Sequence, residues 1–544
     1  MSLALQRPAE SPPLPSAIVG KIPSGTDSVS TGKVNSAIQA LLGNSRASTQ
    51  RNWVKGVGRL VLDLRPDIGE QLVRHLQTTP MDIGTPLAGM SIGEIGVVYE
   101  ALLALTDRDS RKGQGQYFTP DDVASYMAGQ AERFPAGIWL DPCCGVGNLS
   151  WHLANATPDA DDFVANRLTL IDLDATALKT AQALLVASFA AWDDFSALPK
   201  LVKRSQRRNY LGAAPLPRHD FVIVNPPYAS TARDARFHTA DARELYAYFL
   251  ERVVAESQGF IAITPASYLG AAKYAALRSV LEQRKGGEVI VFDNVPDTCF
   301  RGYKYGSKNT SKTNFVRAAI TTSAPGDRRW QVTPILRWAN RSRAHMWQSA
   351  REFLVPMRNG PTGEWVKVMP GTEEVWDALQ SSSKRLRDFT SPRPTLFALD
   401  VASTPRYYIS ASKRRLDRGS KHTLYFQTES DMNRAYVLLN SSLPYWWWRC
   451  LDGGITLSAR HLLSLPVPSS LKASKSLVER LEQSESENLV TKLNAGRQNE
   501  NVRRPRALVD DIDMHLLKGL SFTFEQVYSP DMFESRRLGV VGSF

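Results

Sequence analysis

Cysteine is scarce. A chain of 544 residues has four: Cys143, Cys144, Cys299 and Cys450. Two are neighbours, and no Cys-x-x-Cys or Cys/His spacing points to zinc. No metal is expected, and so few thiols suit a reducing cytoplasm. Long apolar runs are missing as well. None approaches the roughly 20 residues that cross a bilayer, so no membrane association is expected. The opening stretch MSLALQRPAESPPLPSAIVGKIPSG lacks the charged start and apolar centre of a secretory signal. Its Pro and Ser content predicts a disordered leader over 1–30. No repeat of fixed period is present. Glu-x-Lys, which common restriction nucleases use with a further carboxylate to hold metal, occurs nowhere. A nuclease centre of that kind is therefore not expected.

What the chain does have is positive charge. Lys and Arg number 66 against 54 Asp and Glu, a formal net charge of +12. That balance favours polyanionic partners without identifying one. The length allows two to four domains. Residues 31–110 carry helical apolar spacing, as in VNSAIQALL and IGEIGVVYEALLAL. From about 137 to 322, short apolar runs alternate with helical ones: GIWLDP, LTLIDLD, FVIVNPP, GFIAITP, GEVIVFDN and NFVRAAITT. This alternation predicts an α/β fold, a mostly parallel sheet covered by helices. After SAPGDRR, at 323–329, the texture shifts to Trp, Tyr and Arg among short elements, with a polar helical stretch from Ser476 to Arg506. A domain boundary is expected near 325.

Ligands of doubly wound sheets bind beyond the C-terminal ends of the strands. Three such ends carry unusual residues. In WLDPCCGVGNLS, Asp141 and Pro142 close a strand, and Gly145 and Gly147 permit a tight turn that brings backbone amides near a ligand. A plain strand-to-helix loop is the bland reading. A dinucleotide turn would need a third glycine where Ser150 stands. In LTLIDLD, Asp172 is placed to accept ribose hydroxyls, and Asp174 to cap the next helix. The third end is FVIVNPPYAS. Pro226 and Pro227 fix φ, donate no backbone hydrogen bond and stiffen the loop. The loop then presents the Asn225 amide and the Tyr228 ring.

Such a loop suits chemistry on an exocyclic amine, a poor nucleophile because its lone pair is delocalised into the ring. The Asn225 side-chain oxygen and the Pro226 carbonyl are two rigid acceptors for its two N–H groups. Together they would draw the nitrogen toward tetrahedral geometry beside an activated methyl donor. Tyr228 would stack on a base taken out of the duplex.

These segments resemble the Rossmann-like class I methyltransferases, specifically the amino-methylating DNA enzymes. DPCCGVGNL resembles their cofactor loop, commonly nearer to DPACGSG. LIDLD resembles their ribose-binding acid segment, and NPPY the catalytic motif of the adenine-N6 branch. GQYFTP, containing Tyr117, Phe118, Thr119 and Pro120, resembles the motif near the methionine end of the cofactor. Asn209, in NYL, stands where the family often has Asp and would by resemblance contact the cofactor's adenine. The order of motifs is similar to the gamma arrangement. It implies a helical N-terminal region (31–110), a catalytic domain (111–325) and a mixed α+β target-recognition domain (326–544). The implied cofactor is S-adenosyl-L-methionine. The implied partner is double-stranded DNA, with a separately encoded restriction nuclease as a further partner, and a monomeric enzyme is favoured.

On that resemblance, AYVLLNSSLPYWWWRCLDGGITLSARHLLSLPVP (435–468) looks like a target-recognition segment. Arg328, Arg329, Arg337, Arg341 and Arg343, near Trp330 and Trp338, then become candidates for DNA contact. So do Lys413, Arg414, Arg415 and Arg418 after Tyr407 and Tyr408. The solvated-face reading competes for each cluster. Trp446, Trp447 and Trp448 are expected to form core or interface. Tyr303, Tyr305 and Phe315 are candidates for a second base-stacking ring. Glutamine-N5, RNA and cytosine-N4 methyltransferases use the same or a similar loop and stand as alternatives to adenine.

Overall fold

The computed structural model describes residues 28–82, 84–106, 119–300, 316–405, 407–494 and 497–534. Most of the expected leader, Tyr117, Phe118, Tyr303, Tyr305 and Phe315 lie outside the described residues. The leader's expected end is too late by three residues, because a helix, α1, begins at Ser28 and runs to Leu41.

The chain divides into two compact units. The first holds the described residues up to Tyr268, then Lys273–Gln331 and Asn340–Gln348. Its architecture is mixed α/β. The strands are β1 (Trp139–Asp141), β2 (Leu168–Asp172), β3 (Gln206–Arg207), β4 (Phe221–Val224), β5 (Gly259–Pro265), β6 (Gly287–Phe292) and β7 (Ala318–Ser323). Within this unit they lie in the order β3-β2-β1-β4-β5-β7-β6. The pairs from β3 to β5 are parallel, and β7 runs antiparallel to both β5 and β6. Every residue of β1, β4, β6 and β7 is buried. Strands covered on both faces read as continuous apolar runs, which is why these segments stood out in the sequence. The two-residue β3, carrying Gln206 and Arg207, has no apolar signature and gave no such signal.

Three further helices complete the N-terminal set: α2 (Arg46–Leu64), α3 (Gly69–Leu76) and α4 (Ile92–Thr106). Ser45 and Ser48 form a reciprocal capping box that starts α2. Trp53 of α2 donates its indole N–H to Thr180, 3.1 Å away in the helix Ala175–Phe189. Arg65 donates to the carbonyls of Ala190 and Ala191, both at 2.8 Å. These bonds satisfy the open C-terminal end of that helix. The helical region is thereby part of the first unit.

The second unit holds Leu269–Ala272, Val332–Ala339 and the described residues from Ser349 onward. Its main sheet is antiparallel, in the order Thr390–Ser391, Lys421–Phe426, Phe397–Ala402, Ala411–Ser412. Trp446, Trp447 and Trp448 sit in the helix Leu443–Leu451 and are at most 2% exposed, as core residues. The polar stretch after residue 475 is not one helix. A helix, Lys475–Glu487, gives way to a hairpin, Leu489–Asn494 with Arg497–Val502. No helix among the described residues is long and apolar enough to cross a membrane.

Candidate active site

Parallel pairing brings the C-terminal ends of β1, β2 and β4 to one edge. Trp139 pairs with both Leu168 and Phe221, so Asp141, Asp172 and Asn225 emerge side by side. They line one cavity of about 290 Å³. Pro142, Gly145, Asn209, Thr119 and Pro227 line it too, while Gly147, Pro120, Pro226 and Tyr228 do not.

The loop after β1 is shaped by two glycines. Gly145 has φ +53° and Gly147 φ +95°, a region that other residues enter at a cost. A Cβ on Gly145 would meet nothing within 4 Å, whereas one on Gly147 would press on Ala181 at 3.0 Å. Gly145 therefore keeps the cavity open, and Gly147 lets the helix Asn148–Asn155 pack closely on its neighbour.

Asp172 organises this turn. One carboxylate oxygen accepts the Gly145 N–H and the other the Asp174 N–H, both at 2.8 Å. Each oxygen has lone-pair capacity for a second donor. Burial pushes this carboxyl above the usual range, against the pull of those two amides. Asp174 caps the next helix through Thr176 and Ala177, and the Tyr99 hydroxyl of α4 donates to it. The capping expectation for Asp174 agrees with this geometry.

Asp141 is 1% exposed, and burial pushes it up to about 7 despite bonds from Ser150 Oγ and the Cys143 N–H. The same burial, with Asp141 and Asp172 close by, pushes the Cys143 and Cys144 thiols well up. They are protonated thiols rather than nucleophiles.

The Asn225 amide is held by Thr119. Its Nδ2 donates to Thr119 Oγ1 at 2.9 Å, which turns the amide oxygen the opposite way. The Thr119 carbonyl in turn accepts from Asn148 Nδ2 at 2.6 Å. Next along the chain, Asp121 accepts from Ser91 Oγ (2.5 Å) and lies 3.0 Å from His152 Nε2. Thr119 is thus pinned between the cofactor-type loop and the NPPY loop. Cys143 adds a direct link, its Sγ donating to the Asn225 carbonyl at 3.2 Å. One hint of this role is local, since Cys143 stands where the resembled loop has Ala.

Tyr228 is placed differently from the base-stacking expectation. Its hydroxyl donates to the Ile263 carbonyl at 2.9 Å, and its ring meets Tyr246 and Phe300 edge-on. Tyr210 and Phe249 stack at 4.9 Å and form an aromatic wall of the cavity that the sequence reading did not assign. Asn209 lines the cavity with its side-chain oxygen accepting the Leu211 N–H.

Residues 91–258 match the family model described as N-6 DNA methylase. This segment is similar to that family. No curated protein matches the chain. Among solved structures, the type I restriction-modification methyltransferase subunit from Streptococcus thermophilus aligns at 16% identity and TM-score 0.32. That alignment covers 48% of this chain and 59% of the subunit. The type IIG restriction endonuclease BpuSI aligns at 11% identity and TM-score 0.42, over 93% of this chain and 79% of that one. The DrdV–DNA complex aligns at 12% identity and TM-score 0.41, over 85% and 54%. The chain thus spans little more than half the length of two of these proteins. The methylase match covers α4, the cofactor-type loop and NPPY, the same elements that build the cavity.

Several basic residues do not face outward as expected. Arg343 is 3% exposed and bonds Asp122 at 2.5 Å, with Trp347 donating to the same carboxylate. Arg337 is 2% exposed and binds the Val527 carbonyl within the second unit. Trp330 and Trp338 are buried. Lys413, Arg414 and Arg415 pair with Glu482, Glu500 and Asp400, and Arg418 with backbone carbonyls and Thr404. In the first cluster Arg337 and Arg343 join the core with Trp330 and Trp338, while Arg328, Arg329 and Arg341 are exposed. In the second, Arg414 and Arg415 are exposed and pair at the surface with carboxylates distant in sequence.

Proposed function

We propose that the chain transfers a methyl group from S-adenosyl-L-methionine to adenine N6 of duplex DNA, as part of a restriction-modification or related defence system. The observation that carries this reading is the convergence of Asp172, the Gly145 turn and the Thr119-bound Asn225 amide on one cavity. The residues present fit the donor. Asp172 offers acceptor capacity to a ribose, Tyr210 and Phe249 offer an aromatic wall, and Gly145 opens onto free space. Asn148 Oδ1 is buried with no hydrogen-bond partner among the described residues, ready to accept from a ligand. When bound, S-adenosylmethionine supplies a methyl group made electrophilic by its sulfonium.

The chain's own groups handle the amine. The Asn225 oxygen, oriented by the bond to Thr119, and the Pro226 carbonyl accept its two N–H groups. This localises the lone pair on nitrogen, and the stiff Pro-Pro loop holds it in line for transfer. A base reaches that position by leaving the duplex, at a cost of a few kcal/mol, on the order of what stacking returns. Mapping of modified bases in DNA from cells that express the chain tests the whole reading. N6-methyladenine in a fixed sequence context is expected, and its absence, with active cofactor binding, refutes adenine as the target.

A further inference from the structure

The second unit contains a cavity of about 680 Å³ that no methyl-transfer step uses. It is lined by Tyr407, Tyr408, Asn488 and Arg503, with Arg504 and Arg506 beside them. Its three arginines differ. Arg504 is 8% exposed and fully engaged, bonding Asn440 Oδ1 at 2.9 Å, the Tyr436 hydroxyl at 2.9 Å and Glu485 at 3.3 Å. Arg506 is paired with Asp510 at 2.5 Å and lies over the Tyr528 ring. Arg503 directly follows the hairpin strand Arg497–Val502. Its main-chain N–H bonds the Asn488 carbonyl at 3.0 Å; the residue is exposed, and its guanidinium has no hydrogen bond or ion pair among the described residues. Neither hydroxyl of Tyr407 or Tyr408 bonds a described residue, and both side chains are half-buried at the cavity. Asn488 uses its Nδ2 on Ser484 at 3.0 Å.

A guanidinium without a carboxylate, two tyrosine rings and an amide oxygen define a complementary ligand. It has an anionic group, a flat aromatic ring and a hydrogen-bond donor. The Tyr407 ring already lies 5.7 Å from the Arg337 guanidinium; an apolar ligand would leave Arg503 without an anion, and a bare anion would leave the Tyr408 ring without a stacking partner. A nucleotide meets all three demands, since bases stack on tyrosine and phosphate suits arginine. We propose that this cavity binds one nucleotide of a DNA strand, with its phosphate on Arg503 and its base against Tyr408. One unpaired cation matches the single charge of a phosphodiester better than the nearly double charge of a free monophosphate. The adjoining hairpin also exposes Lys492 and Leu493, the latter by 77%, where a continuing strand would pass. The inference rests on the reading of the chain as a DNA-modifying enzyme.

The test uses the full chain and two probes, thymidine 5′-monophosphate by calorimetry and a short labelled duplex by fluorescence anisotropy. A pyrimidine is chosen so that it does not mimic the adenosine of the methyl donor. Arg503→Gln and Tyr408→Ala should each weaken both probes by about tenfold or more, and Tyr408→Phe, which keeps the ring, should retain them. Loss of the mononucleotide with unchanged duplex binding makes the occupant a free nucleotide and overturns the DNA assignment. Unchanged binding of both probes overturns the site. S-adenosylmethionine affinity, measured alongside, should be the same in all variants. Should the wild type fail to bind the donor, the methyltransferase reading falls while the nucleotide site is still judged by its own probes.

Discussion

The two cavities are built in opposite ways. The first is assembled from strand ends that carry their own chemistry within a few residues: Asp141 to Val146, Asp172 to Asp174, Asn225 to Pro227. The second collects short runs spread from Tyr407 to Pro530, such as Tyr407–Ser410 and Arg503–Arg506, that no strand-end pattern links. The first holds buried carboxylates and few cations. The second is surrounded by arginines, most of them neutralised by partners. A count of basic residues therefore says little about which of them are available. Arg343 and Arg503 look alike in sequence, yet one is a buried half of an ion pair and the other is unpaired among the described residues.

The largest expected effect sharpens that contrast. Arg343→Ala removes the guanidinium that pairs with the buried Asp122 carboxylate and should cost about 3–5 kcal/mol of stability in denaturant unfolding. Arg503→Ala should stay within about 0.5 kcal/mol. Similar losses for both would erase the distinction between them. Next, Asn225→Ala should slow methyl transfer by about a hundredfold or more while S-adenosylmethionine affinity holds, as expected for a group that acts on the amine. A normal turnover in that variant removes Asn225 from the chemistry.

Asp172→Asn should weaken donor affinity by roughly tenfold, since a charged acceptor is replaced by a neutral amide whose NH₂ must face one of the two backbone donors. Unaltered affinity would dismiss the ribose role. The Asp141 carboxyl adds a pH signature. With its value raised to about 7, the group is largely protonated at pH 6 and ionised at pH 8. A cationic donor favours the ionised form, so affinity should climb by about threefold to tenfold from pH 6 to 8 and then level off. In Asp141→Asn the slope should vanish; if it persists, another group titrates. The smallest effect is expected for Cys143→Ala, which removes one weak S–H bond to the Asn225 carbonyl. Turnover should fall by a fewfold, with donor affinity kept and Cys143→Ser restoring much of the rate.

Much of the first cavity was legible because its signals are local. Buried strands are continuous apolar runs, and the residues that end them must tolerate tight turns or fixed φ. Asp141, Gly145, Asp172, Asn225 and Pro227 could be named on that basis and Asn209 by resemblance alone, and all six line one cavity. Tyr228 could not be placed, because its hydroxyl finds the Ile263 carbonyl on a strand 35 residues away. The aromatic wall of Tyr210 and Phe249 joins two segments 39 positions apart, and no periodicity links them. The hairpin after residue 488 was hidden inside a polar stretch with little burial to mark a face.

By itself, the sequence determined the order of the strands along the chain and the chemical groups at their ends, because backbone geometry and apolar patterning act between near neighbours. Only the tertiary structure decided which charges are neutralised, which rings meet and which thiol touches the NPPY loop. Those outcomes depend on distances between segments far apart in the chain, and a hydrogen bond or ion pair exists only once folding has brought its two ends together.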